Sequence, residues 1–214
     1  MPHWDKTDNP AGNDFCDPSR FNWRADGETP AATLGSEEKS TLVMNGMKIS
    51  TIQSVYHTLV EPQCEVVRDL FTTATEMIGS YISTSELLTA FIQTITAGRG
   101  KGRYGSIERF DAADLKQFLS SESHPMVPDF LKFRVRKDVA FFITDNNCMG
   151  IGCKYAQPGD QICVLFGVRM PVILRPVGDH YRFLGLCYVH ELMKGEAMEG
   201  LKAGRLSEEW LTMR

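Results

Sequence analysis

The chain has 214 residues, of which 43% are hydrophobic and 23% charged, a balance typical of a globular protein with one substantial core. Its net charge of −4 at pH 7 provides no global attraction for phosphates, so neither nucleic acid nor an anionic membrane is an expected partner. The chain has no apolar run long enough to span a membrane and no secretory signal at its N-terminus, so a cytoplasmic location is predicted.

The cysteine pattern argues against disulfide and metal chemistry. The six cysteines are scattered, and none forms a C-x-x-C pair. Without a secretory route, we expect these thiols to be reduced and mostly buried. His190-Glu191 is followed by Lys194 where a zinc-binding H-E-x-x-H motif needs its second histidine. The sequence therefore predicts no metal site and no cofactor.

The first 40 residues differ from the rest of the chain. Residues 1–40 are rich in Pro, Gly, Asp, Asn and Ser, without a sustained period, and predict a mobile or loosely draped N-terminal arm. Trp4 and Trp23 are exceptions, and each either anchors the arm on the domain or is simply an exposed aromatic residue. Residues 41–214 are predicted to form a single domain.

That domain is predicted to begin with a strand over Thr41–Ile52. The Asn45-Gly46 pair inside it could equally form a tight turn that splits the strand into a short hairpin.

The hydrophobic period then changes from that of a strand to that of a helix. Apolar residues spaced by four predict an amphipathic helix over Glu65–Ile78. Ser83 is a predicted N-cap, and Glu86 three residues later completes a capping box for a second helix. A third, shorter helix is predicted over Asp111–Ser120. A helical insertion at about 64–120 therefore interrupts a β domain.

Strand signals return after Phe130–Lys137, a basic run that could be a helix or an extended segment. The predicted strands are Val139–Thr144, Cys148–Gly152, Gln161–Phe166, Met170–Arg175 and Tyr181–His190. A short helix is expected over Leu192–Leu201, and then a last turn or strand in which Trp210 and Leu211 pack back. The predicted fold class is α+β: a small, mostly antiparallel β-barrel, or a strongly curved sheet, with two to three inserted helices.

Many short sequence blocks follow one another in a fixed order over Cys148–Ala197: MGIG, QPGD, VLFG, PVILRP, GDHYR and CYVH. This series resembles the C-terminal β-barrel region of fungal heterokaryon-incompatibility proteins. A weaker likeness to the opening strand of that region lies at Phe21-Asn22 and Leu42–Ile52, so the resemblance extends over residues 20–214. It departs from the family at Glu191, where members usually carry a small residue. We also expect the family's large N-terminal incompatibility domain to be missing.

A glycine-rich basic loop lies at Gly98–Gly105. Its glycines satisfy G-x-G-x-x-G, but the dinucleotide fingerprint needs a strand before it, and here a helix precedes it. The loop is either flexible and solvated or a clamp for an anionic group over the mouth of the barrel.

The predicted catalytic residues are Tyr188, His190 and Arg182. They would share one face of a single strand, and if that face looks into a barrel they would line one wall. A histidine can transfer protons near neutral pH, and a tyrosine can donate to a developing oxyanion. The alternative is that His190 makes a structural hydrogen bond and Tyr188 packs in the core.

Arg175, Glu191 and Glu196 are the predicted ligand-binding residues. Arg175 could instead pair with Asp179 across a turn, and Glu196 could instead stabilise the start of a helix. Asp160, in a Pro-Gly-Asp sequence, is interpreted as a turn former.

The resemblance implies a stand-alone fungal recognition or regulatory module, or one that binds a small ligand. Its partner would be another protein, or an apolar molecule of polyketide or terpenoid type. The alternative is a cofactor-independent isomerase, cyclase or lyase of fungal secondary metabolism. A pocket with convergent polar groups would favour the enzyme or the ligand binder, whereas a packed interior with apolar residues outside would favour protein recognition.

Overall fold

The computed structural model describes residues 23–34, 40–57, 64–98, 119 and 139–214. Except for Leu119, the predicted helix Asp111–Ser120 lies outside the described residues, as do Phe130–Lys137 and most of the glycine-rich loop. The described strands are β1 (Thr33–Leu34), β2 (Leu42–His57), β3 (Val139–Thr144), β4 (Met149–Cys153), β5 (Gln161–Leu165), β6 (Val172–Val177), β7 (His180–Leu186), β8 (Tyr188–Val189) and β9 (Glu208–Met213). The described helices are α1 (Cys64–Ile78), α2 (Thr84–Ile95) and α3 (Glu196–Lys202).

The long strand β2 links the two halves of the sheet. Its first part pairs with β5 and β9, and its last part pairs with β3. A register shift interrupts the pairing with β5 between Lys48 and Ser50, and another interrupts the pairing with β3 between Ile52 and Ser54. Gly46 lies within the strand, where an added Cβ would be 2.5 Å from the carbonyl oxygen of Val164. A glycine is needed here because β5 approaches closely. The strand continues through Asn45-Gly46, so the alternative of a tight turn at this pair is wrong.

Five of the strands close into a ring in the order β2, β5, β6, β7, β9. All neighbours in the ring are antiparallel except β7 and β9, which meet in parallel where Tyr181 pairs with Met213. The sheet is therefore mixed, and it continues from β2 through β3 and β4 to β8. This arrangement confirms a strand-rich fold with helices inserted between β2 and β3.

The apolar residues form three layers. Alternate side chains of the ring strands fill the interior of the ring: Met44, Cys163, Leu165, Val172, Leu174, Leu211 and Met213. A second cluster joins the outer face of the ring to one face of β3 and β8 and to α3. A third packs α1 and α2 against the opposite face of β3, β4 and β8. Each face of the β3–β4–β8 sheet is thus covered by apolar side chains.

The predicted start of α2 is confirmed. The hydroxyl of Ser83 accepts a hydrogen bond from the backbone N–H of Glu86, whose carboxylate accepts one from the backbone N–H of Ser83. The Phe91 ring on this helix lies 5.2 Å from that of Phe71 on α1 and 5.9 Å from that of Phe141 on β3. These aromatic contacts hold both helices on the sheet.

The single strand predicted over Tyr181–His190 is wrong, because the chain changes neighbours in the middle of that run. The part before Cys187 pairs with β6, and the part after it pairs with β4. Gly185 has φ +148°, and the N–H of Cys187 donates to the carbonyl of Pro171. This bond and the glycine conformation divide the run into β7 and β8.

The segment 23–34, assigned from the sequence to the N-terminal arm, lies against the domain. The N–H of Arg24 donates to the carbonyl of Met193, and the N–H of Ala25 donates to that of Arg169. The end of the segment pairs with β2 as β1. The segment therefore joins the loop before β6 to the loop before α3.

The tail of the chain returns as β9, with Leu211 1% exposed and Trp210 46% exposed. The prediction that both residues pack back is right for Leu211 and wrong for Trp210. Successive side chains of a strand point to opposite faces, so the two cannot both enter the ring.

Candidate functional site

Tyr188 and His190 lie at the end of β8, next to β4. Tyr188 pairs with Ile151, and the backbone N–H of His190 donates to the carbonyl of Met149 at 2.9 Å. Side chains alternate along an extended chain, so both predicted residues lie on the face of Met149 and Ile151. That face packs against the helices and lies outside the five-stranded ring.

Tyr188 is buried against the N-terminal segment and the end of α2. Its ring centroid lies 6.1 Å from that of Trp23, in an edge-on arrangement. A Cβ added at Gly98 would lie 3.1 Å from the tyrosine ring. Burial raises the pKa of Tyr188 well above its usual range, and Glu196 adds to the rise. The phenol therefore stays protonated at neutral pH and can donate a hydrogen bond but not act as a base.

His190 is held neutral by its surroundings. Burial is the main effect and lowers the pKa of its imidazole, while Glu191 and Glu196 oppose this and Lys194 adds to it. The Nδ1 atom is buried and has no hydrogen-bond partner among the described residues. The Nε2 atom lies 3.9 Å from the Glu191 carboxylate. A neutral imidazole can accept a hydrogen bond or a proton at its unprotonated nitrogen.

The two acidic candidates have different positions. Glu191 has a left-handed backbone, φ +63°, and its side chain is 77% exposed. The Glu196 carboxylate accepts a hydrogen bond from the backbone N–H of Lys194 at 2.7 Å, just before α3. Glu196 therefore lies at the start of α3 and bonds the backbone there, as the helix-start interpretation expects. Its negative charge also acts to raise the pKa of Tyr188 and of His190.

Arg182 does not join Tyr188 and His190. It is exposed on β7, directly opposite Arg175 on β6. The prediction that Arg182, Tyr188 and His190 line one wall required a single continuous strand. The break at Cys187 instead leaves Arg182 paired with β6 and Tyr188 paired with β4. The structure thus brings together two of the three predicted catalytic residues.

Arg175 is engaged within the protein. Its Nε and Nη2 atoms donate to the two oxygens of Asp160 at 2.8 and 2.9 Å, and Nη2 also donates to the carbonyl of Tyr155. The predicted pairing of Arg175 with Asp179 is wrong, since Asp179 contacts His180 at 3.0 Å instead. The side chain of Asp160 is 1% exposed, so this ion pair closes the loop before β5.

Cys148 is a neighbour of the site that the sequence analysis did not single out. Burial is the main cause that raises the pKa of its thiol, and the charge of Glu191 adds to the rise. A protonated thiol is a weak nucleophile. Cys148, Cys153, Cys163 and Cys187 are all free thiols. Only the strand register, which places residue 148 near residue 191, reveals this neighbour.

Neither a metal site nor a membrane-spanning helix is found within the described ranges. No group of three or more His, Cys, Asp or Glu side chains there is arranged to hold a metal ion. None of the helices in that part of the chain combines the length and apolar character needed to cross a membrane.

Comparison with known proteins identifies a family for part of the chain. Residues 119–204 match the Het-6 beta-barrel domain, which confirms the resemblance to the barrel region of heterokaryon-incompatibility proteins. A stretch of 59 residues is 37% identical to heterokaryon incompatibility protein 6, OR allele, of Neurospora crassa. That stretch covers 26% of this chain and only 9% of the relative's length. No solved structure matches the chain.

The family match covers the strands from β3 to β8 together with α3. The strands β2 and β9, which close the ring, lie outside it.

Proposed function

We propose that this chain, whose residues 119–204 match the Het-6 beta-barrel domain, is a protein-recognition module that acts in heterokaryon incompatibility. The module binds another protein through its outer surface and has a barrel-like ring as its rigid support. The name of the Neurospora crassa relative supports the biological setting.

The observation that carries this proposal is the filling of the ring. Seven side chains of the ring strands form its interior cluster, all of them apolar or thiol groups. Cys163, Val172 and Leu174 are each 0% exposed. A small barrel filled by its own side chains acts as a scaffold, and recognition then falls to the outer surface.

The position of the polar candidates agrees with recognition. Tyr188 and His190 lie outside the ring, Arg182 lies elsewhere on β7, and Arg175 is occupied by Asp160. Convergent polar groups around a cavity are the usual mark of an enzyme site. The described residues do not combine these side chains in that way.

The test is the growth of forced heterokaryons of Neurospora crassa in which one partner strain expresses this chain. We expect slowed growth relative to an empty-vector control. His190→Ala, with an unchanged thermal melting curve, should slow growth to the same extent. Normal growth with the wild-type chain would overturn the recognition proposal.

One observation favours a second candidate, the cofactor-independent enzyme or binder of a polyketide- or terpenoid-like ligand. The buried Nδ1 of His190 has no partner within the described part of the chain, and the phenol of Tyr188 on the same face remains a donor. Native mass spectrometry of protein purified from a fungal host tests this candidate. A small molecule that co-purifies with the wild type but not with a folded His190→Ala variant would support it, and a bare 24.0 kDa chain would count against it.

A further inference from the structure

One edge of β9 has no strand partner among the described residues at Glu208 and Trp210, and the neighbouring strand β2 defines its geometry. Asn45 of β2 faces Trp210 of β9. The N–H of Asn45 donates to Ala32, and its carbonyl accepts from Phe166, so both groups point away from β9. In an antiparallel pair, the residue opposite such a position also directs its backbone groups outward. The N–H and C=O of Trp210 therefore point away from β2.

The same alternation applies two residues earlier, so the backbone groups of Glu208 also point to this edge. On that side β9 meets β7 only at its end, where Tyr181 pairs with Met213 and accepts a hydrogen bond from the N–H of Arg214. No strand among the described residues pairs with the edge at Glu208 and Trp210. An unpaired edge is a template for an added strand.

The side chains beside this edge select for positive charge. Glu208 and Trp210 are both exposed and lie on the outer face of β9, because Leu211 between Trp210 and Thr212 enters the ring. An indole face attracts a cation, and a carboxylate two residues away on the same face adds to that attraction. The adjacent Glu209 is already paired with Lys48 at 2.9 Å and faces the ring, so its charge is offset.

We propose that an extended, basic segment of a partner protein adds to the free edge of β9 as a further strand. Main-chain hydrogen bonds to Glu208 and Trp210 hold the segment, and an Arg or Lys side chain on its outer face lies over the indole of Trp210 and beside the carboxylate of Glu208. This inference rests on the proposed recognition function, for which it names the surface and the chemistry of the partner.

The probes are two synthetic hexapeptides, acetyl-TVRVRT-amide and acetyl-TVEVET-amide, titrated into the isotope-labelled full chain and followed by NMR. We expect the basic peptide to bind at least about fivefold more tightly than the acidic one, which is the effect of one ion pair at an exposed site. Trp210→Ala should weaken the basic peptide about two- to fivefold, the range for an exposed cation–π contact. Glu208→Lys should reverse the order of the two peptides.

Amide hydrogen exchange distinguishes strand addition from a side-chain contact alone. In the free protein the amides of Glu208 and Trp210 should exchange fast, whereas those of Glu209 and Leu211 are protected by β2. Saturation with the basic peptide should slow exchange at Glu208 and Trp210 by about tenfold or more, since both amides become hydrogen-bonded.

The matched control is Phe183→Ala, because Phe183 is 49% exposed on β7, close to the 46% of Trp210. This variant should bind the basic peptide like the wild type. The inference is overturned if both peptides bind equally, if the two edge amides do not slow, or if Phe183→Ala weakens binding as much as Trp210→Ala. Slowed heterokaryon growth without any peptide preference would reject this surface alone. Peptide addition without an effect on growth would reject the recognition function and retain the edge as a binding site.

Discussion

Replacing Asp160 by Ala should destabilise the protein by about 3 kcal/mol, because it leaves the Arg175 guanidinium without its partner. Asp160 is 1% exposed and accepts three hydrogen bonds, two from Arg175 and one from the backbone N–H of Gln157 at 2.9 Å. Removing one member of a buried pair costs about 3–5 kcal/mol, and the lower end applies since the Arg175 side chain keeps 21% exposure. The melting temperature should fall by about 6–12 °C for a chain of this size.

The assay is urea unfolding followed by circular dichroism, with Asp179→Ala as the matched control. Asp179 is also an aspartate next to a β-strand, but its side chain is 82% exposed and pairs with the adjacent His180. We expect its loss to leave the unfolding midpoint nearly unchanged. Asp160→Asn should lie between the two, because it retains an acceptor for Gln157 but loses the charge. Equal stabilities of Asp160→Ala and Asp179→Ala would refute the reasoning.

Three further predictions concern the buried regions. Gly150→Ala should lower the free energy of unfolding, measured in urea, by about 2 kcal/mol or more, because the added Cβ would lie 2.3 Å from the Phe142 ring. A variant as stable as the wild type would contradict this. Burial raises the pKa of Cys163 to about 12, so we expect no iodoacetamide labelling of this thiol in the native protein at pH 8, and rapid labelling would disprove its burial. The lowered pKa of His190 means that the unfolded chain binds its proton more tightly, so stability should fall as pH drops below about 6.5. His190→Asn should reduce the difference between urea midpoints at pH 7.5 and 5.5, and an unchanged difference would assign the acid sensitivity to other groups.

Part of the candidate site was predictable because it depends on one local rule. Tyr188 and His190 were expected on one face, and strand alternation places them there. Arg182 was expected beside them, but the break at Cys187 cannot be recognised from a run of strand-forming residues. Which neighbour a strand takes is decided by the packing of the whole sheet, so Arg182 faces Arg175 instead.

The sequence by itself determined α1, α2 and most of the described strands, because their causes lie within a few residues of one another. The capping box of Ser83 and Glu86 starts α2 through two local hydrogen bonds, and the four-residue period of α1 follows from one apolar stripe. Only the tertiary structure decided that Arg175 binds Asp160, that Trp210 stays outside the ring, and that no described strand pairs with β9 at Glu208 and Trp210. These features depend on which strands pair, β5 with β6 and β2 with β9, and local sequence patterns do not specify those partners.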